Sequence, residues 1–442
     1  MYLPEPILGC LDALENAGFA AYAVGGCVRD SCLGLRPQDF DLCTAARPEQ
    51  IQQIFAGHRQ VLAGTKHGTV GIVMDHSVVE ITTFRTEGDY QDNRHPGWVA
   101  FVEDIRQDLA RRDYTINAMA YSPRRGFADP FGGREDLANR TLRAVGAPVQ
   151  RFQEDSLRIL RGLRFAARYG LCIHPDTWQA MLSQAALMDN LARERVFQEL
   201  CKLLPLLNVQ QAMAYGPILA AVIPELEPML GFDQHSPHHA YDLYTHVAHV
   251  VAAVPPQLEL RWAALLHDIG KVPTFTRDET GRGHFYGHAS EGAQLADAVL
   301  LRLKAPTALR TRVVTLIHSH MTRLEPEKKS LCRCIRRLGW DTVMQMLALQ
   351  EADMGSKGTG KAEEMEVFSQ IRGLLQQIQQ ENSCLSLKDL AINGKDLLSL
   401  GLRGPQIGQT LNRLLEGVLA EQLPNEKQAL LDAACEARED TP

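Results

Sequence analysis

The feature that most constrains the fold is a stretch near the start of the chain, where an apolar segment leads into a glycine pair and then an acidic pair. The apolar segment Ala21–Val24 predicts a buried strand, which ends at Gly25-Gly26. Residues 27–35 predict a short helix, whose first backbone N–H groups can face an anion. Asp39 and Asp41 are two positions apart, so on a strand they would lie on one face.

Two neighbouring carboxylates are costly unless a cation lies between them, and ligands that are all oxygen suit Mg²⁺. A glycine pair alone is usually a turn, and an Asp-x-Asp alone is usually a solvated strand or loop edge. Together, at this spacing, they predict a triphosphate site beside a two-metal site. They also resemble the signature of the polymerase-β-like nucleotidyltransferases.

Length and composition limit the class of protein. The chain has 442 residues, of which 45% are hydrophobic, and this predicts two to four domains. No apolar run approaches the roughly 20 residues of a membrane span, and the N-terminus does not have the pattern of a signal peptide. Ten cysteines without a Cys-x-x-Cys pair predict reduced thiols in a cytoplasmic protein. The net charge of −7 argues against a generally basic nucleic-acid binder.

Residues 1–140 alternate between strand-like and helix-like segments. Strands are predicted at 40–44, 68–74 and 78–84, and the last of these carries Glu80. A carboxylate on an edge strand is commonly only a surface residue, but beside the aspartate pair Glu80 is a candidate third metal ligand. Residues 85–96 are polar and rich in turn-forming residues, and they predict a flexible loop.

Arginine dominates the next segment. Arg111-Arg112 precede Asp113; such a pair can be a surface ion pair, or it can bind phosphate or ribose beside a triphosphate site. From about residue 140 onward strand signals vanish. Glu154-Asp155 are predicted to open a helix on which Arg158, Arg161, Arg164 and Arg168 lie along one side. This row is either a solvated face or part of the nucleotide site.

The pair Asp155 and Arg158 can select a base. An Asp accepts a hydrogen bond from an exocyclic amine, and an Arg donates one to a ring nitrogen. Cytosine and adenine both present an amine beside an acceptor nitrogen, whereas uracil and guanine present a carbonyl beside an N–H. One Asp–Arg pair would therefore accept C and A and reject U and G, whose buried polar groups would be left unpaired.

Five motifs, in order, resemble those of the bacterial tRNA nucleotidyltransferases (CCA-adding enzymes), the class that includes the bacterial poly(A) polymerases. They are Gly25-Gly26-Cys27-Val28-Arg29-Asp30, Asp39-x-Asp41, Arg111-Arg112-Asp113-x-Thr115-Ile116-Asn117-Ala118, Glu154-Asp155-x-x-Arg158 with Arg164-Phe165-Ala166, and Arg193-Glu194-Arg195-Val196-Phe197. The resemblance covers the first half of the chain by its catalytic motifs and the remainder more weakly.

The resemblance implies a role for each matching residue. Asp39 and Asp41 would bind Mg²⁺, and Glu80 would complete the catalytic carboxylates. Residues implied to bind the nucleotide are Gly25, Gly26 and Arg29 at the triphosphate, Arg111, Asp113 and Asn117 near the ribose, Asp155 and Arg158 at the base, and Arg161 and Arg164 beside them. Arg193 and Arg195 would brace the helix that carries the base-reading pair.

Histidine marks a second site, because ten of the fifteen His residues lie between positions 235 and 320. A lone His on a helix is usually structural or solvated, but an adjacent His-Asp pair with further His and Asp residues resembles the HD superfamily of metal-dependent phosphohydrolases. The implied ligands are His246, His267, Asp268 and Asp353 for a first ion, with His288 and His318 for a second. Mixed imidazole and carboxylate ligands suit a divalent transition metal or Mg²⁺ better than a structural zinc.

We therefore predict an α+β polymerase-β-like head at residues 1–140, followed by helical regions. These are a neck and body at 141–235, an HD region at 236–365 and a tail at 366–442. Residues 355–361 read as a linker. The tail segment from Gly404-Pro405 resembles the part of these enzymes that grips tRNA.

The predicted reaction is attack of a tRNA 3′-hydroxyl on the α-phosphate of CTP or ATP, which builds the CCA end. Rivals are a poly(A) polymerase and an enzyme that adds only A or only CC. The segment 64–70 resembles the tRNA enzymes rather than the poly(A) polymerases, and a complete loop at 85–96 favours addition of the final A. Rivals of other classes are an HD phosphohydrolase with a nucleotide-sensing head and a non-catalytic RNA-binding protein.

Overall fold

The computed structural model describes residues 1–74, 77–88, 97–236, 240–358, 362–381, 387–419 and 422–439, which form two compact units. The first unit comprises Met1–Glu227 with Arg302–Ala305, and the second comprises Pro228–Leu301 with Pro306–Pro442. The first is built of strands and helices and the second is mostly helical, which confirms the predicted α+β fold class. The division into four regions stays a prediction.

The first unit holds strands β1–β11 and helices α1–α10. The strands are β1 Ala21–Val24, β2 Asp41–Thr44, β3 Gln60–Val61, β4 Thr69–Met74, β5 Ser77–Thr83, β6 Arg85–Gly88, β7 Trp98–Phe101, β8 Ala120–Ser122, β9 Gly126–Ala128, β10 Thr141–Leu142 and β11 Cys172–Ile173. The helices are α1 Glu5–Asn16, α2 Gly26–Cys32, α3 Pro48–Ile54, α4 Ile105–Ala110, α5 Gly133–Ala138, α6 Pro148–Glu154, α7 Leu157–Tyr169, α8 Pro175–Gln184, α9 Arg193–Leu203 and α10 Val209–Val222.

The main sheet has seven strands in the order β3-β4-β5-β2-β1-β8-β9. The β2–β5 pair is parallel, and the other pairs in this sheet are antiparallel. All four residues of β1 are buried, because this strand lies between β2 and β8 and its apolar side chains fill both faces. The start of β2 and the middle of β5 therefore become neighbours although the chain between them is long.

A hydrophobic cluster supports the sheet on the face that includes Tyr22, Val24 and Cys43, together with Phe84 and Leu109. Full burial of side chains such as Phe84 and Leu109 stabilises the fold by about 1.5–3 kcal/mol each. This cluster fixes the positions of β1 and β2, and hence of the glycine pair and acidic pair at their ends.

Helix α7 begins later than predicted. Glu154 ends α6, and Asp155 has an extended backbone with φ −145° before α7 starts at Leu157. Sequence periodicity could not show this break, because α6 and α7 are both amphipathic and directly adjacent. The side chain of Asp155 is therefore presented at a junction between two helices and not within the first turn of one.

The packing of α7 against the head depends on Tyr114, which is fully buried. Its hydroxyl donates a hydrogen bond to the carbonyl oxygen of Arg158 at 2.6 Å. The same hydroxyl lies against Gly162, where a Cβ atom would collide with it. Glycine at 162 therefore allows α7 to approach Tyr114 closely.

The second unit holds helices α11–α20 and the hairpin β12–β13. The bounds are α11 Leu243–Ala253, α12 Leu258–Leu266, β12 Thr276–Arg277, β13 Gly283–His284, α13 His288–Arg302, α14 Thr307–Ser319, α15 Lys328–Leu338, α16 Trp340–Gly355, α17 Ala362–Gln380, α18 Gly394–Ser399, α19 Pro405–Leu419 and α20 Lys427–Glu439. Among the described helices, none combines the length and the apolar character that crossing a membrane requires.

Three expectations from sequence need adjustment. Strands do occur after residue 140, namely β10 to β13, but each has two residues and is too short to give a periodic signal. The predicted loop 85–96 begins as β6, which pairs with β7, and its remainder at 89–96 lies outside the described residues. The predicted linker 355–361 starts at the end of α16, and its residues 359–361 also lie outside them.

Candidate active site

The three predicted catalytic carboxylates meet at one place on the main sheet. Asp41 is the first residue of β2, and its register partner on β5 is Glu80. Asp39 lies two residues before Asp41 and precedes the strand, so the two aspartates do not share a strand face as their spacing suggested. All three residues keep exposed surface that a ligand can reach, although the carboxyl group of Asp41 is partly screened from water by its neighbours.

The surroundings of Asp41 disfavour the ionised form of its carboxyl group. Burial raises the pKa of the Asp41 carboxyl group; Arg112 lowers it, and the neighbouring Asp39 raises it again. A carboxylate with a raised pKa gains from any cation placed beside it. Because the donors are all carboxylate oxygens, this set fits Mg²⁺.

The glycine pair leaves space beside these carboxylates. Gly25 has φ 75°, a conformation that favours glycine, and a Cβ atom there would lie 3.1 Å from Nη1 of Arg112. The Nε atom of Arg112 is buried and has no hydrogen-bond partner in the part of the chain that the structure describes. Gly25, Gly26 and Arg112 thus form a corner suited to a phosphate chain. The pair Arg111-Arg112 was expected as a possible phosphate or ribose ligand, but a specific role was given only to Arg111 and none to Arg112. Its doublet with Arg111 was the available signal.

Arg29 is held firmly and is largely buried. Its Nη1 donates a hydrogen bond to Oδ1 of Asn117 at 2.6 Å, and its Nη2 lies 2.7 Å from Oδ1 of Asp30. The guanidinium also stacks on the ring of Tyr169, 4.4 Å from the ring centroid. The structure therefore brings the predicted residues Arg29 and Asn117 together, in contact with the end of α7.

Asp113 links this network to α7. Its Oδ1 accepts a hydrogen bond from Nδ2 of Asn117 at 3.1 Å, and its Oδ2 accepts from Nε and Nη2 of Arg161 at 3.0 and 2.7 Å. Burial raises the pKa of Asp113, but Arg161 and Asn117 outweigh it and lower the pKa to about 2. Arg161 in this structure therefore anchors the helix to the head.

Arg164 also has a partner on a neighbouring helix. Its Nε donates a hydrogen bond to Oε2 of Glu199 on α9 at 2.7 Å. Both Arg164 and Glu199 are mostly screened from solvent, so the pair joins α7 to α9. The predicted arginine row is thus divided between contacts with the head and contacts with the next helix.

Arg111 points toward the β6–β7 hairpin. Its Nη1 lies 3.3 Å from Oε1 of Glu87, and its Nη2 donates to Oδ1 of Asp108 at 3.0 Å. Asp108 is fully buried, which raises its pKa, but Arg111 and Arg112 outweigh the burial and the net pKa is lowered. Asp108 therefore binds both arginines, of which Arg111 also contacts Glu87 of the hairpin and Arg112 acts on the charge of Asp41.

Asp155 and Arg158 are each fixed by other residues. Oδ1 of Asp155 accepts from the backbone N–H of Leu157 at 3.1 Å, and its Oδ2 lies 3.2 Å from Nη2 of Arg195. Arg158 donates to Oε2 of Glu154 at 2.7 Å and to the carbonyl of Arg111 at 2.9 Å. Both side chains are therefore held in fixed orientations by contacts within the chain. The contact of Arg195 with Asp155 is of the kind that the predicted bracing role requires.

In the second unit, buried histidines surround Asp268. Its Oδ2 lies 3.6 Å from Nε2 of His246 and 3.2 Å from Nε2 of His267. Its Oδ1 lies 3.7 Å from Nε2 of His288 and 4.0 Å from Nε2 of His320. Asp268 is thus shared by two groups of candidate ligands, each compact enough to hold one metal ion.

Asp353 joins the first of these groups, because its Oδ1 lies 3.0 Å from Nε2 of His246 and 3.9 Å from Nε2 of His267. The Nε2 atom of His267 is buried without a hydrogen-bond partner among the described residues. Such an atom is costly in a folded protein unless a ligand satisfies it. The donor set of imidazole and carboxylate therefore fits a divalent cation.

The structure brings His320, and not the predicted His318, to the second group. His318 is exposed, because residues two apart on a helix point in very different directions. Burial and the nearby His267 lower the pKa of His320 to about 4, and burial lowers that of His288. Both imidazoles are therefore neutral at pH 7, the form that binds metals.

Two lysines were missed by the sequence analysis. Nζ of Lys271 lies 2.7 Å from Oδ2 of Asp268, and Nζ of Lys357 lies 3.3 Å from Oδ2 of Asp353. A cavity of about 320 Å³ opens beside Asp353 and Lys357, with Phe368 among its apolar lining residues. Spacing of His and Asp residues gives no signal for lysines, so only the structure identifies these cations.

Three domain families match the chain. Residues 21–143 match the Poly A polymerase head domain, residues 170–230 match the probable RNA and SrmB-binding site of polymerase A, and residues 288–434 match tRNA nucleotidyltransferase domain 2. The first match contains the three carboxylates and the glycine pair. The third contains part of the histidine cluster.

Similar proteins extend over nearly the full length. The CCA-adding enzyme of Latilactobacillus sakei is 34% identical over 439 residues, which cover 97% of this chain and 96% of that protein. The CCA-adding enzyme of Bacillus velezensis is 31% identical over 422 residues, or 95% of each chain. A crystal structure of the Bacillus stearothermophilus CCA-adding enzyme in complex with CTP matches with a TM-score of 0.70 and 27% identity, and the match covers 99% of this chain and 98% of that one.

Proposed function

The chain belongs to the family of CCA-adding enzymes, and we propose that it adds the CCA sequence to the 3′ end of tRNA from CTP and ATP, without a nucleic-acid template. The observation that carries this proposal is the pairing of Asp41 with Glu80 beside Asp39, next to the Gly25-Gly26 corner. Each transfer would join the RNA 3′-oxygen to the α-phosphate and release pyrophosphate. The free cysteines among the described residues support a cytoplasmic location.

Different groups of residues would bind the metal, the phosphates, the ribose and the base. Asp39, Asp41 and Glu80 would hold Mg²⁺, which when bound would favour the ionised 3′-hydroxyl and neutralise the triphosphate. Gly25, Gly26 and Arg112 would hold the phosphate chain. The network of Arg29, Asn117 and Asp113 would position the ribose side, with Arg111 beside it. Asp155 and Arg158 would select cytosine or adenine, with Arg161 and Arg164 keeping the helix in place.

A series of tRNA transcripts tests the proposal. Transcripts that end before CCA, after C and after CC would be incubated with Mg²⁺ and labelled CTP or ATP. We expect all three to be extended to a complete CCA end. Extension of only the CC-ended transcript would indicate an A-adding enzyme, and repeated addition of A would indicate a poly(A) polymerase. Absence of labelling on every transcript would refute the proposal.

The histidine cluster supports a second activity in the other unit, a metal-dependent hydrolysis of phosphate esters. Asp268 with its four surrounding histidines would hold one or two divalent ions, either a transition metal or Mg²⁺, and Asp353 would complete the first site. Lys271 and Lys357 would offer positive charge to a phosphate group. A phosphate ester at an RNA end, such as a cyclic phosphate, is a candidate substrate.

We expect His267→Ala and Asp268→Ala to lose bound metal and hydrolysis of bis(p-nitrophenyl) phosphate, because each removes a buried ligand. Metal content would be measured by mass spectrometry after dialysis against excess Ni²⁺, Mn²⁺ or Mg²⁺. His249→Ala is the matched control, since this histidine lies on the same helix as His246 but stacks on Tyr241. Hydrolysis that persists in both ligand variants would belong to another site. The addition of CMP to tRNA should remain normal in both ligand variants and in the control.

A further inference from the structure

One row of residues crosses four strands of the main sheet. Asp41 on β2 pairs with Glu80 on β5, Glu80 pairs with Gly71 on β4, and Gly71 pairs with Val61 on β3. Register partners on neighbouring strands lie on the same face of a sheet, about 4.8 Å apart. The two carboxylates are therefore followed, on the same face, by a glycine and then by a valine about 10 Å from Glu80.

The surface beyond Glu80 is apolar and open. Val61 is 44% exposed, and Val78, two residues before Glu80 on β5, is 51% exposed. The two valines meet over Gly71, where a Cβ atom would lie 2.8 Å from Cγ1 of Val78 and 3.1 Å from Cβ of Val61. Val61, Gly71 and Val78 thus form a low apolar surface, here called the valine shelf, that is continuous with the catalytic face.

The geometry of the reaction places the RNA on the same side of the carboxylates as the valine shelf. In phosphoryl transfer the attacking oxygen and the leaving group lie roughly in line, on opposite sides of the phosphorus. The pyrophosphate would leave toward Gly25 and Arg112, at the end of β1. In the strand order β3-β4-β5-β2-β1, the side of the carboxylates away from β1 is the side of β5, β4 and β3.

We propose that the valine shelf binds the base of the 3′-terminal nucleotide of the RNA, and so places its 3′-hydroxyl beside Glu80 and Asp41. The terminal base changes with each addition, from the unextended end to the first and then the second C. A surface without hydrogen-bonding side chains suits such a sequence of bases, because every base offers an apolar face and none is rejected. This proposal deepens the proposed function and rests on it.

The test uses the full-length Val61→Ser/Val78→Ser variant and compares the KM for a tRNA transcript with the KM for CTP. We expect the KM for RNA to rise about tenfold and the KM for CTP to remain within twofold, because only the RNA subsite loses apolar contact. Val149→Ser is the matched control, since Val149 is a similarly exposed valine (42%) on α6 of the same unit. Thermal unfolding would show that each variant is folded.

A transcript whose last nucleotide lacks its base gives an independent readout. Wild-type enzyme should lose affinity for this RNA, whereas the double variant should show little further loss, because the contact is already absent. Equal losses in both proteins, or an unchanged KM for normal RNA, would overturn the proposal. So would a change in oligomeric state without a change in RNA KM, which would make the shelf a contact between copies of the chain. Failure of wild-type enzyme to extend any RNA would instead refute the proposed function.

Discussion

Asp41→Asn is expected to lower CMP and AMP incorporation by at least about a thousandfold, equivalent to about 4 kcal/mol of transition-state stabilisation. The amide keeps the shape of the side chain but removes the charge that would hold a divalent cation opposite Glu80. Initial rates with labelled CTP and a tRNA transcript lacking CCA would measure the effect. RNA affinity, measured by filter binding, should be unaffected.

The thermal stability of Asp41→Asn gives a second check, because it should stay unchanged or increase while the activity falls. The pKa of Asp41 is raised by burial, so the folded state prefers the protonated form, and ionisation costs stability above the unfolded pKa. At pH 7 the Asn variant should therefore unfold at the same temperature as wild type or at a higher one. Asp12→Asn, on exposed α1 surface where Asp12 pairs with Arg124, is the matched control and should retain activity. Activity of Asp41→Asn within tenfold of wild type would refute the metal assignment.

Asp155→Asn is expected to lower the preference for CTP over UTP by about a hundredfold. Asn keeps a carbonyl oxygen that can accept from the N–H of Leu157, so the start of α7 should remain intact. Its amide, however, can donate to the carbonyl of uracil, which the carboxylate of Asp155 cannot do. Ratios of kcat/KM for CTP, ATP, UTP and GTP would be measured on one transcript.

The control for this change is Asp189→Asn, at an exposed acid in the same unit that pairs with Arg193. It should leave the four ratios unchanged. If Asp155→Asn lowers all four rates equally, Asp155 supports the structure and does not read the base. A selective gain for UTP would identify it as a specificity residue.

Sequence patterns predicted the parts of the site that are local. The glycine pair after a buried strand, the acidic pair and the β-branched strand with Glu80 all follow from spacing along a few residues, and the structure places them together. The fold class follows for the same reason, because strand and helix periodicity changes abruptly near residue 140. The comparisons with similar proteins confirm that class and the family.

Other features could not be predicted because they depend on contacts between distant segments. Arg111 and Arg112 have the same local pattern, and only the structure shows that Arg111 contacts Glu87 whereas Arg112 lies beside Gly25. His318 and His320 are equivalent in spacing arguments, but one is buried beside Asp268 and the other is exposed. Asp155 was expected inside a helix, and its place at a junction is visible only from the backbone.

The position of Asp155 at the α6–α7 junction has a consequence for how such proteins diverge. The groups that would perform chemistry stand on the sheet, whereas the groups that would choose the base stand on a separate helical layer, joined to the sheet by ion pairs such as Asp113–Arg161. A lineage could therefore alter which nucleotide is accepted by changing the helical layer alone, with the carboxylates untouched. One catalytic head could in this way be inherited by enzymes that make different RNA ends.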